Sequence, residues 1–179
     1  MIKNKMHVRK AKEEDAQGIA KVSVDSWRTT YKGIIPDEFL TNLSYDKRTE
    51  AWKQNIAKED NYVIVAENEM GQIIGFADAW KRETNLEENT GDLTSIYLLE
   101  EYQGMGIGKK LFKELFLHYN KLGYKKVFVE VLEENKTRYF YEYYGAKLVK
   151  TVQIKIGGKV LNESIYEWDS IDKVLEKCE

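Results

Sequence analysis

One segment of the chain has the sequence Leu93-Thr94-Ser95-Ile96-Tyr97-Leu98-Leu99-Glu100-Glu101-Tyr102-Gln103-Gly104-Met105-Gly106-Ile107-Gly108. Its first seven residues are mostly aliphatic or aromatic and predict a β-strand from Leu93 to Leu99. The three glycines at every second position carry no Cβ that would shield the backbone N–H groups. A loop of this kind between a strand and a helix predicts an anion-binding cradle.

The residues after the glycines predict a helix followed by a second strand. Apolar side chains recur at helical spacing on one face, at Ile107, Leu111, Leu115, Tyr119 and Leu122, and Gly123 stands where the helix would end. The valines of Lys126–Leu132 alternate as in a strand. Because a helix connects the two strands, we expect them to lie parallel.

The flanking sequence adds strands and helices in alternation, which predicts a mixed α/β fold. Expected helices extend from about Glu13 to Gly33, from Pro36, over Lys47–Ile56 and over Lys136–Tyr144; expected strands are His7–Ala11 and the hairpins Tyr62–Ala66 with Gln72–Trp80 and Leu148–Ile156 with Val160–Trp168. The pair Gly157-Gly158 is typical of a two-residue hairpin turn.

The bulk composition limits the class of protein. The chain has 179 residues and one proline and offers no linker, so we expect a single domain over residues 1–179. A formal net charge of -2 disfavours nucleic acid as a partner. The start Met1–Met6 lacks the apolar core of a signal peptide, and no apolar run could span a membrane, so we expect a cytoplasmic protein.

Cysteine and histidine are too sparse to support a disulfide or a metal site. The single cysteine, Cys178, lies at what we expect to be a frayed chain end, and it suits a reducing compartment. His7 and His118 have no second ligand at metal spacing, so we expect no metal.

The details of the glycine segment discriminate between phosphate-binding families. A nucleotide triphosphatase loop would need Ser or Thr after Gly108-Lys109, where this chain has Lys110. A dinucleotide fingerprint would need glycine at position 109. Glu130 follows the glycines at a sequence separation that is acceptable for the acidic residue that binds the ribose of a dinucleotide. A nucleotide-dependent oxidoreductase therefore stays open as an alternative.

The pattern Gln-x-x-Gly-x-Gly at Gln103, Gly106 and Gly108 resembles the acetyl-CoA signature of the GNAT superfamily of N-acetyltransferases. Other parts of the chain match that family in order and spacing, namely the preceding strand, Asn135, Phe140-Tyr141-Glu142, Gly145 and, in one bacterial branch, Ser26-Trp27-Arg28 with Tyr31. One departure is Ala146, where an aromatic residue is common. The resemblance implies a twisted, mixed but mostly antiparallel central sheet with flanking helices.

The resemblance also implies where acetyl-CoA binds. The strand around Leu93–Leu98 would be interrupted by a bulge and splayed from its parallel neighbour Val127–Val131, and the pantetheine arm would lie between them. The implied cofactor-binding residues are Ile96, Tyr97, Leu98, Gln103, Gly104, Met105, Gly106, Ile107, Gly108, Lys109, Asn135 and Tyr141. Asn135 before a helix is equally typical of a helix cap.

Two residues are candidates for acid–base catalysis. Freeing the lone pair of an amine like that of lysine costs about 4.6 kcal/mol at pH 7, so a general base is expected. By resemblance Asp92 is that base, although a carboxylate at a loop end is also ordinary surface. Tyr141 would protonate the departing thiolate, and the alternative for a tyrosine within an aromatic cluster is packing.

The resemblance therefore implies an enzyme that acetylates a primary amine, on a small molecule or a peptide, by direct attack in a ternary complex. Trp27 and Tyr31, together with Trp52, would wall the acceptor site, and as aromatic residues at helical spacing they are equally suited to the core. A non-catalytic acyl-CoA-binding module is the alternative from another class. Edge strands near the C-terminal hairpin suggest a possible homodimer.

Overall fold

The computed structural model describes residues 5–179. Residues 1–4, which belong to the segment Met1–Met6, lie outside it. Within the described residues the elements follow in the order β1 (His7–Lys10), α1 (Ala16–Thr30), α2 (Asp37–Thr41), α3 (Tyr45–Ala57), β2 (Tyr62–Glu67), β3 (Ile73–Ala79), β4 (Thr90–Leu93), β5 (Ser95–Leu98), α4 (Ile107–Lys121), β6 (Lys126–Leu132), α5 (Thr137–Tyr143), β7 (Lys147–Ile156), β8 (Lys159–Trp168) and α6 (Ile171–Lys177).

The strands form two four-stranded sheets, which confirms the predicted mixed α/β class. The first has the order β1-β2-β3-β5 and is antiparallel throughout. The second has the order β4-β6-β8-β7, in which β4 and β6 are parallel and the other pairs are antiparallel. One large apolar core draws on both sheets and on the buried faces of α1 and α4.

Helix α1 packs on the first sheet through the apolar face that its periodicity predicts. Ile19, Ala20 and Val24 on that face are fully buried. Just before the helix, Asp15 accepts hydrogen bonds of 2.7 and 2.9 Å from the guanidinium of Arg9. This ion pair connects the start of the helix to β1 and thereby fixes α1 beside the sheet.

The single strand predicted from Leu93 to Leu99 is wrong, because the chain changes sheets within it. Strand β4 pairs with β6 in the second sheet, whereas β5 pairs with β3 in the first. Thr94 lies between them and donates its backbone N–H to the Asp78 carbonyl at 2.9 Å. Since the chain leaves its pairing with β6 at this point, β5 and β6 diverge, as the family resemblance implies.

Helix α4 connects β5 to β6 and begins directly at the glycine loop. Its apolar face is buried, with Leu111 and Leu115 fully inaccessible, and the chain turns at Gly123 with φ +76°. The parallel pairing of β4 with β6 confirms the predicted crossover. The geometry therefore places the start of α4 at the point where β5 and β6 separate.

The C-terminal region contains one confirmed element and one that the sequence analysis missed. Gly157 and Gly158 have φ of +57° and +83° in the turn between β7 and β8, as predicted for a tight hairpin. Helix α6 was not predicted. Its Val174 is buried, and Cys178 just beyond it is only 3% exposed, so the expectation of a frayed chain end is wrong. Among residues 5–179 no helix is both long and apolar enough to cross a bilayer.

Candidate active site

A groove of about 350 Å³ lies beside the glycine loop, at the start of α4. Gly104 and Gly106 have φ of +78° and +81°, the left-handed region that favours glycine. The first backbone bond within the helix runs from the Lys110 N–H to the Gly106 carbonyl at 3.2 Å, so the N–H groups of residues 107–109 precede the helical hydrogen-bond ladder. A helix start of this kind suits an anionic group in the groove.

Most residues predicted to bind a cofactor surround this groove, but they do so in different ways. The lining includes Ile96, Tyr97, Leu98, Gln103, Gly104, Gly106, Gly108 and Lys109. Met105 is 56% exposed, and the Ile107 side chain is buried in the core, so Ile107 can offer only its backbone to a ligand. The Gln103 side chain donates to the Leu98 carbonyl at 3.2 Å and thus holds the loop against β5.

A second, smaller cavity of about 140 Å³ adjoins the groove. Ile96, Tyr97 and Thr137 line both spaces, so the groove and the cavity adjoin at β5 and at the start of α5. Besides Ile96 and Tyr97, the cavity brings together four more of the predicted residues, Trp27, Tyr31, Asn135 and Tyr141. A ligand extending from the glycine loop along β5 would end at this cavity.

Tyr141 is 4% exposed and reaches the cavity from α5. Burial raises the pKa of its phenol, and the charge of Tyr31 would raise it further. The ring packs edge-on against Trp168, with 5.5 Å between ring centroids. The phenol is therefore fixed in place and protonated at neutral pH, which are the properties of a proton donor.

A chain of hydrogen bonds crosses the cavity wall. The hydroxyl groups of Tyr31 and Tyr97 lie 2.8 Å apart, and the Asn135 side-chain amide donates to the Tyr31 hydroxyl at 3.3 Å. The Asn135 carbonyl oxygen accepts the Thr137 N–H at 2.9 Å, at the start of α5. Both ends of the Asn135 amide are thus engaged within the protein, which agrees with the helix-capping alternative.

Asp92 lies away from Tyr141, on the wall of a different cavity of about 580 Å³. Its side chain is buried. It accepts hydrogen bonds from Arg82 Nε at 2.6 Å, from the backbone N–H of Arg82 at 3.1 Å and from Asn85 Nδ2 at 2.9 Å. Arg82 is also paired with Glu130. These contacts give the carboxylate a structural role, and its assignment as general base stays a prediction.

The aromatic residues of the N-terminal helices divide between the cavity and the core. Trp27 is half-buried and lines the cavity, and the Arg48 guanidinium lies 4.9 Å from its ring centroid. Tyr31 also lines the cavity, where its hydroxyl group makes the hydrogen bonds described above. Trp52 is instead a core residue, packed edge-on against Phe76 with 4.9 Å between ring centroids.

Three polar residues near the cavity were not identified from the sequence. Ser95 and Glu163 line it, and Asp78 of the neighbouring strand β3 is hydrogen-bonded to Ser95. The alternation of side chains in a strand puts Ser95 on the same face as Tyr97 and was the signal that could have identified it. Asp78 and Glu163 depend on strand pairing between distant segments, which no local pattern shows.

Comparisons with known proteins agree with this geometry. Residues 24–146 match the model of the "Acetyltransferase (GNAT) family". The chain is 38% identical to the uncharacterized N-acetyltransferase YuaI of Bacillus subtilis over 92% of this chain and 93% of that protein. It is 26% identical to a spermidine N(1)-acetyltransferase of Thermoplasma acidophilum over 77% of this chain and 85% of that protein.

A solved structure shows the same fold. The PaiA N-acetyltransferase of Thermoplasma acidophilum, crystallised in complex with coenzyme A, superposes with a TM-score of 0.76 at 24% identity and covers 92% of this chain and 99% of that chain. At this identity the likeness shows the shared fold alone. The two sheets and flanking helices described above therefore form an architecture that this known acetyltransferase shares.

Proposed function

The chain belongs to the GNAT family of acetyltransferases, and on this premise we propose that it transfers the acetyl group of acetyl-CoA to a primary amine by direct attack, with both substrates bound at once. One observation carries the proposal: the groove at the glycine loop adjoins, along β5, a separate cavity that Tyr141 lines. An acyl donor and an acceptor would meet where the two spaces join.

The groove has the chemistry needed to hold coenzyme A. The diphosphate would accept hydrogen bonds from the backbone N–H groups at the start of α4, and Lys109 would add positive charge. An added Cβ at Gly104, Gly106 or Gly108 would meet no atom within 4 Å, so the loop surface is open for a ligand to approach. Acetyl-CoA, when bound, supplies the acetyl group as an activated thioester.

The pantetheine arm would lie in the gap between β5 and β6. Within the described residues, β5 pairs only with β3, so the edge of β5 that faces the gap has no strand partner. Backbone groups near Ile96 and Leu98 would pair with the arm's amides. Thr94 does not offer a free N–H there, because its own N–H is bonded to Asp78.

Tyr141 would act as the general acid. Its buried phenol is protonated at neutral pH and lies on the cavity wall, so it can donate a proton to the thiolate as the C–S bond breaks. The acceptor amine would enter from the side of Trp27 and Glu163. Burial raises the pKa of Glu163, a half-buried carboxyl group that also lines this cavity.

A screen of acetyl-CoA with different amines tests the proposal. The panel contains spermidine and a peptide beginning with alanine, because relatives carry the names spermidine N(1)-acetyltransferase and ribosomal protein bS18-alanine N-acetyltransferase, together with lysine, an aminoglycoside and free amino acids. We expect release of coenzyme A together with an acetylated product in mass spectra. Stoichiometric binding of acetyl-CoA without turnover of any amine would instead favour the non-catalytic binding module.

A further inference from the structure

Asp78 is a buried carboxyl group for which the proposed chemistry has so far no role. It lies on β3 and is 3% exposed. The other two buried aspartates are ion-paired, Asp15 with Arg9 and Asp92 with Arg82. Among residues 5–179, no basic side chain lies within ion-pairing distance of Asp78. An isolated buried carboxyl group is costly to ionise, so its retention in the sheet calls for an explanation.

Ser95 connects Asp78 to the cavity. The two residues are directly opposite each other in the pairing of β3 with β5, and the Ser95 hydroxyl donates a hydrogen bond to Asp78 Oδ1. Ser95 also lines the cavity that contains Tyr141. It lies on the same face of β5 as Tyr97 and directly precedes Ile96, where groove and cavity join. Its oxygen therefore lies between a hidden carboxyl group and the space that an acceptor would occupy.

We propose that Ser95 and Asp78 form a proton relay that removes the proton from the acceptor amine. This inference rests on the proposed acetyl transfer. Ser95 is the catalytic residue that contacts the amine, and Asp78 is the positioning residue that stores the proton.

The relay balances the protons of the reaction. The substrate ammonium gives a proton to Ser95 Oγ while the Ser95 hydroxyl proton passes to Asp78 Oδ1. The freed nitrogen lone pair forms the C–N bond, the C–S bond breaks, and the thiolate takes its proton from Tyr141. The nitrogen loses its second proton to solvent, and solvent also reprotonates Tyr141. After the product leaves, Asp78 returns its proton to solvent through Ser95.

The environment of Asp78 suits proton exchange near neutrality. Burial raises its pKa to about 7, and hydrogen bonds from the Ser95 side chain and backbone act in the opposite direction. A base is most effective when its pKa lies near the working pH. Tyr119 of α4 also interacts with Asp78, and burial raises the pKa of this phenol well above 10, so it stays neutral.

Three other carboxylates are less well placed to be the base, and of these Glu130 lines the cavity but is ion-paired with Arg82. Asp92 is saturated by Arg82 and Asn85 and lines a different cavity. Glu163 lines the same cavity but belongs to β8, which is separated from the gap beside β5 by the whole of β6. Glu163 is therefore suited to contact a remote part of the acceptor, whereas Ser95 lies on the strand along which the thioester would bind.

The test compares variants on the amine of the panel above that gives the highest turnover. We expect Asp78→Asn and Ser95→Ala each to lower kcat at pH 7 about 100-fold, with KM for acetyl-CoA little changed. The loss should shrink as the pH is raised from 7 to 9.5, because more of the amine is then already deprotonated. Ser95→Thr, which keeps the hydroxyl group, should retain activity, and Asp172→Asn, on the exposed side of α6, is the matched control.

The outcomes separate the relay from the transfer itself. If the wild type acetylates an amine but Asp78→Asn keeps its kcat, or loses the same factor at every pH, the relay is refuted and the transferase stands. If Asp92→Asn alone has the pH-dependent loss, Asp92 is the base and the relay is wrong. If the wild type turns over no amine, the proposed function itself fails. Should Asp78→Asn not fold, Ser95→Ala and Ser95→Thr carry the same comparison.

Discussion

The phenol of Tyr141 gives the sharpest test at the scale of a single residue. Tyr141→Phe removes one oxygen and keeps the ring that packs on Trp168. If Tyr141 donates the proton to the thiolate, kcat should fall about 100-fold or more, and the dissociation constant of coenzyme A measured by calorimetry should stay the same. A parallel loss of coenzyme A affinity would identify Tyr141 as a packing residue.

The charge of Asp92 should matter for stability more than for turnover. Asp92→Asn keeps the shape but weakens charge-assisted hydrogen bonds with Arg82, so we expect the free energy of unfolding to fall by about 1.5 to 3 kcal/mol. Urea denaturation measures this change, with Glu88→Gln, in the exposed loop that also carries Arg82, as control. Unaltered stability together with a collapse of kcat at 25 °C would restore the catalytic interpretation.

At this scale the sequence revealed residue types and their spacings, but not which side chains contact each other. The family resemblance, through the spacing from Asn135, picked Tyr141 out of five neighbouring aromatic residues, and the structure does bring both residues to one cavity. The contacts that define Asp92 and Asp78 could not be predicted. They depend on the loop conformation that brings Arg82 to Asp92 and on the register of β3 against β5.

At the scale of elements, the glycine loop and α4 make a testable unit. Gly106→Val puts a β-branched side chain at φ +81°, which strains the loop and blocks approach to the helix start. We expect the dissociation constant of coenzyme A to rise at least about tenfold, which corresponds to about 1.4 kcal/mol.

A second glycine provides the matched control for this substitution. Gly71, in the turn between β2 and β3, has φ +77° and is also free of neighbours within 4 Å of an added Cβ. Gly71→Val should therefore carry a similar backbone strain without loss of coenzyme A binding. If both variants lose affinity equally, the effect is general destabilisation and the loop is not the diphosphate site.

Helices and hairpins were easier to predict from local sequence than the path of the chain between sheets. The periodicity of α4 and the pair Gly157-Gly158 are local signals, and both elements form as predicted. The break at Thr94 was not visible locally, because apolar residues continue on both sides of it. Helix α6 has only seven residues, too few for its periodicity to stand out.

At the scale of the whole molecule, ligand binding should stabilise the fold. Coenzyme A at about 100 times its dissociation constant should add about 2.7 kcal/mol to the free energy of unfolding. For a chain of this size that corresponds to a rise in Tm of roughly 5 to 11 °C. NAD should give no shift in the same thermal unfolding experiment. Protection by NAD but not by coenzyme A would revive the oxidoreductase alternative.

The overall architecture followed from the order of elements together with the family resemblance. The order predicted a mixed α/β fold, and the resemblance added the diverging strands that create the groove. Neither could fix how many chains assemble. Strand β7 lies at the edge of the second sheet and exposes Leu148 and Val149, so the homodimer stays a prediction.

The burial of Cys178 makes the protein convenient for optical work. Since it is the only cysteine and is 3% exposed, maleimide dyes would find no accessible thiol on the folded protein. Replacing the exposed Met105 by cysteine would therefore allow one fluorophore to be attached beside the glycine loop. Its emission would report the arrival of a molecule in the groove, whether or not any chemistry follows.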